Sequence, residues 1–241
     1  MTLIPGGYRL GPARAAPLAL VLLPGIAGDP RTFLRQVPLS RRMPTTAHAL
    51  PVGAGSLQQA AASLLDSIDA PRLVLLGTSL GGLIGWAMSD LAPERVAGLI
   101  TLGTLPARAC LPRGVRTRQR LLSPVPGVLF SVLYRRRIAA RLGEEGVDPR
   151  TRAMLLAGLP GKAVLRGRLA MIERWGLSAV PSVPAMWLRG QHDVEAPWSL
   201  GALPRLLPGV SGQPVPGGHR AHLTHPGALH GFVEHFVRGV R

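Results

Sequence analysis

Cysteine and aromatic residues are scarce in this chain of 241 residues, and each shortage excludes a class of protein. Cys110 is the only cysteine, so no disulfide can form within the chain, and this shortage fits a reducing compartment. Aromatic residues make up 4% of the chain and leave few rings for stacking on bases, and no nucleic-acid-binding motif is recognisable. We therefore expect no nucleic-acid partner.

Long apolar runs are missing as well. No run reaches the roughly 18 to 20 residues that a membrane-spanning helix requires. Arg9 and Arg14 precede an apolar stretch at residues 15–26 that imitates a secretory signal, but Pro17 and Pro24 interrupt it. We expect a soluble, cytoplasmic protein without a membrane span.

Acidic residues are few, because 12 Asp and Glu face 28 Lys and Arg, which gives a net charge of +16. Lys162 is the only lysine, so arginine supplies almost all of this charge. A field of this sign attracts acidic partners such as nucleic acid, an anionic membrane or an acidic protein. A GC-rich coding bias is the alternative explanation, since 30 glycines and 24 prolines are also present.

The chain has the composition of a single globular domain with a large core, with 46% hydrophobic and 17% charged residues. Short apolar runs alternate with helical patterns, which predicts an α/β fold: a mainly parallel central sheet with helices on both faces. The predicted strands are 18–23, 72–77, 96–102 and 184–188, with another near 48–50. The predicted helices begin after Asp29 and Ser56, span 57–68 and 80–91, and end with an amphipathic helix whose His230, Glu234 and Arg238 face outward.

The alternation stops between residues 105 and 180, where the pattern predicts only helices, at 125–142, 149–159 and 162–175. A helical block between two strands of one sheet suggests a lid over a pocket. We therefore divide the chain into a core, residues 1–104 and 181–241, and a helical lid insertion, residues 105–180. The insertion contains 15 basic and 4 acidic residues, so 15 − 4 = +11 of the net charge lies there.

A Gly-x-Ser-x-Gly motif, Gly77-Thr78-Ser79-Leu80-Gly81, lies between a predicted strand and a predicted helix. In this setting the serine projects from a strained turn and acts as a nucleophile. A glycine-rich structural turn is the alternative interpretation. We expect Ser79 to be the nucleophile.

A serine hydroxyl needs a histidine to accept its proton and a carboxylate to orient that histidine. Asp193 follows a predicted strand, and His219 lies in a Gly-Gly-His loop before the last helix, in the order serine, acid, histidine. Glu195 is the competing acid. Asp193 is favoured because of its spacing from Gly190 and Pro197. We predict a catalytic triad of Ser79, Asp193 and His219.

Acyl transfer also needs N–H donors for a developing oxyanion. Leu80 follows the serine directly, and Ile26 lies in the loop after an early strand, where Gly25 lets the backbone turn. We predict an oxyanion hole formed by the backbone N–H groups of Ile26 and Leu80.

His219, His222 and His225 have a spacing that suggests a metal site, but no cluster of carboxylates or cysteines completes it. We interpret His222 and His225 as surface or loop-packing residues. We expect neither a metal nor a cofactor.

The chain resembles the α/β-hydrolase superfamily, and in particular short lid-containing serine hydrolases such as the pimeloyl carrier-protein methyl-ester esterase and related carboxylesterases. The resemblance rests on four motifs in order: the Leu-Leu-Pro-Gly loop, Gly-Thr-Ser-Leu-Gly-Gly, the Gly-Gln-His-Asp loop, and Gly-Gly-His. One departure is Pro24, where the family often has a histidine. A second is the Pro-Val-Gly-Ala-Gly-Ser segment at residues 51–56, where the family has Asp-x-x-Gly-x-Gly.

The resemblance implies a serine hydrolase that cleaves a carboxylic ester of a small-molecule substrate, but one fold supports many substrates. Two alternatives remain open. The first is a thioesterase acting on acyl groups of coenzyme A or of an acidic carrier protein, which the cluster Arg135-Arg136-Arg137 in the insertion would attract. The second is a catalytically silent ligand-binding protein of the same fold.

Overall fold

An eight-stranded sheet organises the structure, a computed structural model that describes residues 1–14, 16–110, 126–196 and 198–240. The strand order is β1-β2-β4-β3-β5-β6-β7-β8. Pairing is antiparallel from β1 through β2 to β4 and parallel across the rest. The strands are β1 (Thr2–Ile4), β2 (Gly7–Arg9), β3 (Leu18–Leu23), β4 (Thr45–His48), β5 (Arg72–Thr78), β6 (Val96–Leu102), β7 (Ala185–Gly190) and β8 (Ser211–Val215).

Helices cover both faces of this sheet. The α-helices are α1 (Leu57–Ser67), α2 (Leu80–Leu91), α3 (Gly127–Glu144), α4 (Pro149–Ala157), α5 (Lys162–Arg174), α6 (Leu203–Leu206), α7 (Ala221–Thr224) and α8 (Pro226–Val240). Three 3₁₀ helices are also described, at Pro30–Arg41, Arg108–Cys110 and Leu200–Ala202.

The core lies on both faces of the sheet, as the wholly buried strand β3 shows. Val21 and Leu23 join a cluster with α1 and α2, whereas Leu20 and Leu22 join the opposite cluster with Phe33 and α8. Successive side chains of a strand point to opposite faces, so a strand covered on both sides needs a continuous apolar run. The predicted α/β fold with a mainly parallel sheet is confirmed.

Element boundaries agree closely with the sequence patterns. β3, β6 and α2 have the predicted bounds, and Asp29 and Ser56 cap their helices, accepting hydrogen bonds from the N–H groups of Arg31 and Gln59. The strand expected near 48–50 lies earlier, at Thr45–His48, because it pairs in register with β3.

The outward face predicted for the last helix needs a correction. Arg238 is exposed, but His230 and Glu234 are partly buried. Glu234 forms an ion pair with Arg42, which directly follows the 3₁₀ helix at Pro30–Arg41. This segment therefore covers part of the face that was expected to meet solvent.

Helices α3, α4 and α5 lie between β6 and β7, and part of the predicted insertion, residues 111–125, lies outside the described residues. α5 packs on the core through Met171 and Trp175, and the Trp175 ring meets Trp86 of α2 edge to face. The end of α3 forms a small apolar cluster of Leu142, Val147 and Leu223. In the described part of the chain, no helix is long and apolar enough to cross a membrane.

Gly81 provides a stability test, because a Cβ there would lie 2.2 Å from the Leu23 carbonyl oxygen and 2.5 Å from that of Pro24. Backbone atoms cannot yield as a side chain can, so we expect Gly81→Ala to lower the free energy of unfolding by about 1–3 kcal/mol. Urea unfolding measures the effect.

Gly231 is the matched control. It also lies in a helix, but its Cβ would meet nothing within 4 Å. Gly231→Ala should therefore stabilise the protein by about 0.5–1 kcal/mol. The same sign for both variants would contradict the close approach of α2 to the loop after β3.

Candidate active site

Ser79 lies at the sharp turn between β5 and α2. Its φ is 51° and its ψ is −116°, in a region that non-glycine residues rarely adopt. Two backbone hydrogen bonds stabilise the turn: Ser79 N donates to Leu102 O at 2.9 Å, and Gly82 N donates to Ser79 O at 3.0 Å. The hydroxyl of Thr104 also donates to Ser79 O at 3.0 Å. The Gly-x-Ser-x-Gly segment is therefore a strained strand–helix elbow.

His219 and Asp193 meet beside this elbow. Their loops follow β8 and β7, and His219 Nδ1 lies 2.9 Å from Asp193 Oδ2. The Asp193 side chain is fully buried, and its Oδ1 accepts the N–H groups of Glu195 and Ala196 at 2.8 and 3.0 Å. Since the carboxylate can only accept, Nδ1 carries the hydrogen and Nε2 is left for another partner.

The two acids considered in the sequence have different partners. Glu195 binds Arg220 at 2.7 Å and does not form a hydrogen bond with His219. Arg220 also binds Glu145, which accepts its backbone N–H as well. The carboxylate that contacts the histidine is therefore that of Asp193.

Burial and charge oppose one another at this pair. Burial raises the pKa of Asp193, but the hydrogen bond and charge of His219, together with the N–H groups of Ala196 and Glu195, outweigh burial, so the net pKa is lowered. Burial likewise lowers the pKa of His219, but the bond and charge of Asp193 prevail and raise it. Asp193 is therefore ionised more readily, and His219 is protonated more readily, than the same groups in water.

The loop after β3 faces the elbow. Gly25 and Ile26 line the same cavity as Ser79 and His219. Among the described residues, neither the Ile26 N–H nor the Leu80 N–H has a hydrogen-bond acceptor. Both groups predicted for the oxyanion hole are thus unpaired backbone donors near Ser79.

Two cavities meet at Ser79 and His219. The first, of about 120 Å³, lies between the loop after β3, the loop that carries His219, and the helical segment between β6 and β7. The second, of about 140 Å³, lies on the side of α5. The helical segment lines the first cavity with Tyr134, Ile138, Leu142, Leu155 and Leu159, and the core lines it with Pro24, Gly25, Ile26, Ala27, Asp29, Thr32, Thr78, Glu195, Arg220, His222 and Leu223. The second cavity is lined by Leu80, Leu83, Gly103, Leu105, Leu169, Ile172, Glu195 and Ala196.

Sequence reasoning missed several residues around the site. His222 is buried, with Nε2 2.8 Å from the hydroxyl of Thr32, and burial lowers its pKa to about 3. The phenol of Tyr134 lines the first cavity, and burial raises its pKa to about 12. A Cβ at Gly103 would lie 2.8 Å from His219 Nδ1. Their importance arises from contacts between distant segments, and no local pattern signals it.

The three histidines of the 219–225 run separate in the structure. His219 binds Asp193, His222 is buried beside Phe33, and His225 is exposed and bonds Thr224. Within the described ranges, no group of three or more His, Cys, Asp or Glu side chains is arranged to hold a metal ion.

Comparisons with known proteins agree with the fold. Residues 52–123 match the family model for the α/β hydrolase fold. Among curated proteins, no sequence matches the chain.

Solved structures match almost the whole chain. A hydrolase from Pseudomonas aeruginosa is 22% identical, with a TM-score of 0.72, over 91% of this chain and 89% of its own. An esterase from Thermogutta terrifontis is 20% identical, with a TM-score of 0.73, over 92% and 90%. An enol-lactonase from Burkholderia xenovorans is 19% identical, with a TM-score of 0.71, over 96% and 95%. The chain therefore has the α/β-hydrolase fold.

The His219–Asp193 pair predicts a pH-dependent contribution to stability. The folded pKa of His219 is raised above that of the unfolded chain, so the stabilisation is full below about pH 6.5 and is lost as the pH rises through the folded pKa. Asp193→Asn should therefore cost more free energy of unfolding at about pH 5.5 than at about pH 9. Urea unfolding at both pH values measures the difference.

Asp148→Asn is the control, because Asp148 pairs with Arg35 and no histidine contributes to its lowered pKa. Arginine stays protonated in this range, so the effect of the substitution should be the same at both pH values. A pH-independent effect of Asp193→Asn would contradict the coupling of Asp193 to His219.

Proposed function

We propose that the protein is a serine hydrolase that cleaves a carboxylic ester through an acyl-enzyme intermediate. The observation that carries the proposal is the buried His219–Asp193 hydrogen bond beside a serine with φ of 51°. A buried carboxylate that orients a histidine next to a strained serine suits nucleophilic acyl transfer. The esterase and enol-lactonase with the same fold act on related bonds.

In this mechanism His219 Nε2 accepts the proton of Ser79 Oγ while the oxygen attacks the ester carbonyl. The carbonyl π electrons move onto oxygen, and the N–H groups of Ile26 and Leu80 bind the resulting oxyanion. Collapse of the tetrahedral species breaks the bond to the alkoxy group, which leaves as an alcohol with the proton from His219. Water then repeats the sequence on the acyl-enzyme and releases the acid.

Asp193 acts through His219 in both halves of the reaction. Its carboxylate holds Nδ1–H, so Nε2 stays the basic nitrogen, and its charge stabilises the imidazolium that forms transiently. The lowered pKa of Asp193 keeps it ionised where the imidazole is active. We expect activity to fall at acidic pH as free His219 becomes protonated, at a pH set by its raised pKa.

The two cavities support substrates with small groups on both sides of the ester. Their volumes of about 120 and 140 Å³ are small beside the roughly 300–1,000 Å³ of typical ligand clefts. The surface of both cavities is mostly apolar, although Glu195 borders both and Arg220 borders the first, and this favours apolar acyl and alcohol groups. A short aryl or alkyl ester is thus the first substrate to test.

Ser79→Ala tests the nucleophile. Labelling by a fluorophosphonate should be abolished, and kcat for a short aryl ester should fall by about 10³-fold or more, because no other oxygen can form the acyl-enzyme. Mass spectrometry of the labelled protein and steady-state kinetics measure the two effects.

Ser67→Ala is the matched control, since Ser67 is an exposed serine at the end of α1. It should label and turn over like the wild type. Undiminished activity of Ser79→Ala would contradict the proposal, and absence of both labelling and turnover in the wild type would favour a ligand-binding protein of the same fold.

A second candidate function is hydrolysis of a thioester on an acidic carrier protein, with the same residues. The observation that favours it is the exposed cluster Arg135-Arg136-Arg137 on α3. Arg135 donates to the Leu156 carbonyl, but among the described residues Arg136 and Arg137 have no carboxylate partner. Exposed unpaired guanidinium groups can bind acidic side chains or phosphates.

Salt and substitution distinguish the two candidates. If a carrier docks on α3, the paired substitution Arg136→Ala and Arg137→Ala should raise KM for an acyl-carrier thioester about tenfold and leave KM for a neutral aryl ester unchanged. Added salt should weaken the first reaction only. Kinetics at low and high salt measure both effects.

Arg238→Ala is the control, because Arg238 is an exposed arginine on α8. It should leave both values of KM unchanged. Equal salt dependence of the ester and thioester reactions would count against carrier docking.

A further inference from the structure

Arg168 of α5 is an almost fully buried arginine, with 4% of its surface exposed. Its Nη1 donates to the carbonyl oxygens of Ile26 and Ala27 at 2.9 and 2.8 Å, and its Nη2 donates to Leu50 O at 3.0 Å. All three acceptors are backbone carbonyls of the core, more than 110 positions away in sequence. A side chain from the insertion thus binds the loop that carries the Ile26 N–H.

This guanidinium has no carboxylate partner among the described residues. Burial lowers the pKa of Arg168, and Tyr134 is the titratable group that opposes the shift. Buried charges are ordinarily paired, because a cation removed from water loses its hydration. Here hydrogen bonds to backbone carbonyl groups replace that hydration. Arg168 is therefore held in place by these carbonyl groups and not by an ion pair.

The loop is shaped to receive the guanidinium at Gly28. A Cβ there would lie 2.3 to 2.5 Å from the three outer atoms Nη1, Nη2 and Cζ of Arg168. Gly28 also has a φ of +74°, and it closes a turn by donating its N–H to Gly25 O at 2.8 Å. The close approach and the turn therefore depend on the same glycine.

Each peptide plane of this turn is held by a hydrogen bond. The N–H of Gly28 holds the carbonyl of Gly25, and Arg168 holds the next two carbonyls, those of Ile26 and Ala27. A trans peptide is planar, with its C=O and N–H pointing in opposite directions. Fixing the Gly25 carbonyl thus fixes the direction of the Ile26 N–H. Arg168 acts on this carbonyl indirectly, because the Ala27 C=O that it holds shares a peptide plane with the Gly28 N–H that binds Gly25 O.

We propose that Arg168 is a positioning residue that holds the Ile26 N–H in the orientation needed to bind the oxyanion. The inference rests on the proposed ester hydrolysis, since it assigns Arg168 a part in that reaction. In the free protein the positive charge has only carbonyl dipoles around it, and it favours the negative charge that develops in the transition state. The helical insertion thereby contributes to catalysis as well as to the pocket wall.

Amide hydrogen exchange tests the positioning without using activity. In Arg168→Met, the peptide covering residues 24–30 should exchange at least several-fold faster than in the wild type, because two of its carbonyls lose their donor. Arg174→Met is the matched control: Arg174 lies on the same helix, is exposed, and donates to Gly55 O at 2.8 Å. It should leave exchange at 24–30 unchanged. Equal exchange in the wild type and Arg168→Met would overturn the proposal.

Kinetics test the consequence for catalysis. In Arg168→Met, kcat for a short aryl ester should fall on the order of 10- to 100-fold while KM changes little, as expected for a misplaced oxyanion donor. Affinity for a trifluoromethyl ketone, which forms a tetrahedral adduct on the serine, should fall in parallel. Arg168→Lys should recover part of kcat, because an ammonium group keeps the charge and can still donate to carbonyls. A rise in KM with unchanged kcat would instead show that Arg168 only shapes the pocket.

Gly28→Ala tests the same contact from the other side. The added methyl group must displace the guanidinium, so kcat should fall as in Arg168→Met. Gly6→Ala is the control, because Gly6 has a similar φ of +70° but open space around its Cβ position. Both substitutions strain the backbone, but only the first should lower kcat.

The outcomes separate this inference from the proposed function. If the wild type neither labels at Ser79 nor hydrolyses esters, the proposed function fails, and with it the catalytic part of the inference, while exchange at 24–30 still reports whether Arg168 holds the loop. If the wild type is active and Arg168→Met is equally active at equal KM, the inference alone is wrong.

Discussion

The close packing of α2 against the loop after β3 is the constraint on which the site depends. Gly81 lets the first turn of α2 approach the Leu23 and Pro24 carbonyls, and this approach holds Ser79 at a φ of 51°. Strain of this kind persists only where the surroundings determine it. Backbone and hydroxyl hydrogen bonds from the end of β6 supply that support. Ser79 is therefore positioned by the core of the sheet rather than by its own loop.

The other functional groups reach Ser79 because parallel strands end at the same edge. The loops after β7 and β8 bring Asp193 and His219 together, and the loop after β3 brings Ile26. Binding groups in open α/β sheets characteristically collect at this edge. The insertion lines part of the first cavity with leucine and isoleucine side chains. Its Arg168 also donates a hydrogen bond to the loop that contains Ile26.

The excess of arginine has more than one role in this structure. Arg168 is buried and binds carbonyl groups, and Arg220 joins Glu145 of the insertion to Glu195 beside Asp193. Arg136 and Arg137 are exposed. A net charge alone therefore does not imply a docking surface, because part of it is used inside the molecule. Only the exposed arginines are available to an acidic partner.

Local patterns in the sequence predicted five of the eight strands, the main helix starts and the order of Ser79, Asp193 and His219, because periodicity, caps and glycine motifs act over a few residues. The short strands β1, β2 and β8 were not predicted. The choice between Asp193 and Glu195 rested on spacing; in the tertiary structure Asp193 contacts His219, whereas Glu195 pairs with Arg220. The buried state of His222 and the contact of Arg168 with Ile26 were decided only by folding. They join segments more than 100 residues apart, and no local pattern records which distant backbone a buried side chain will meet.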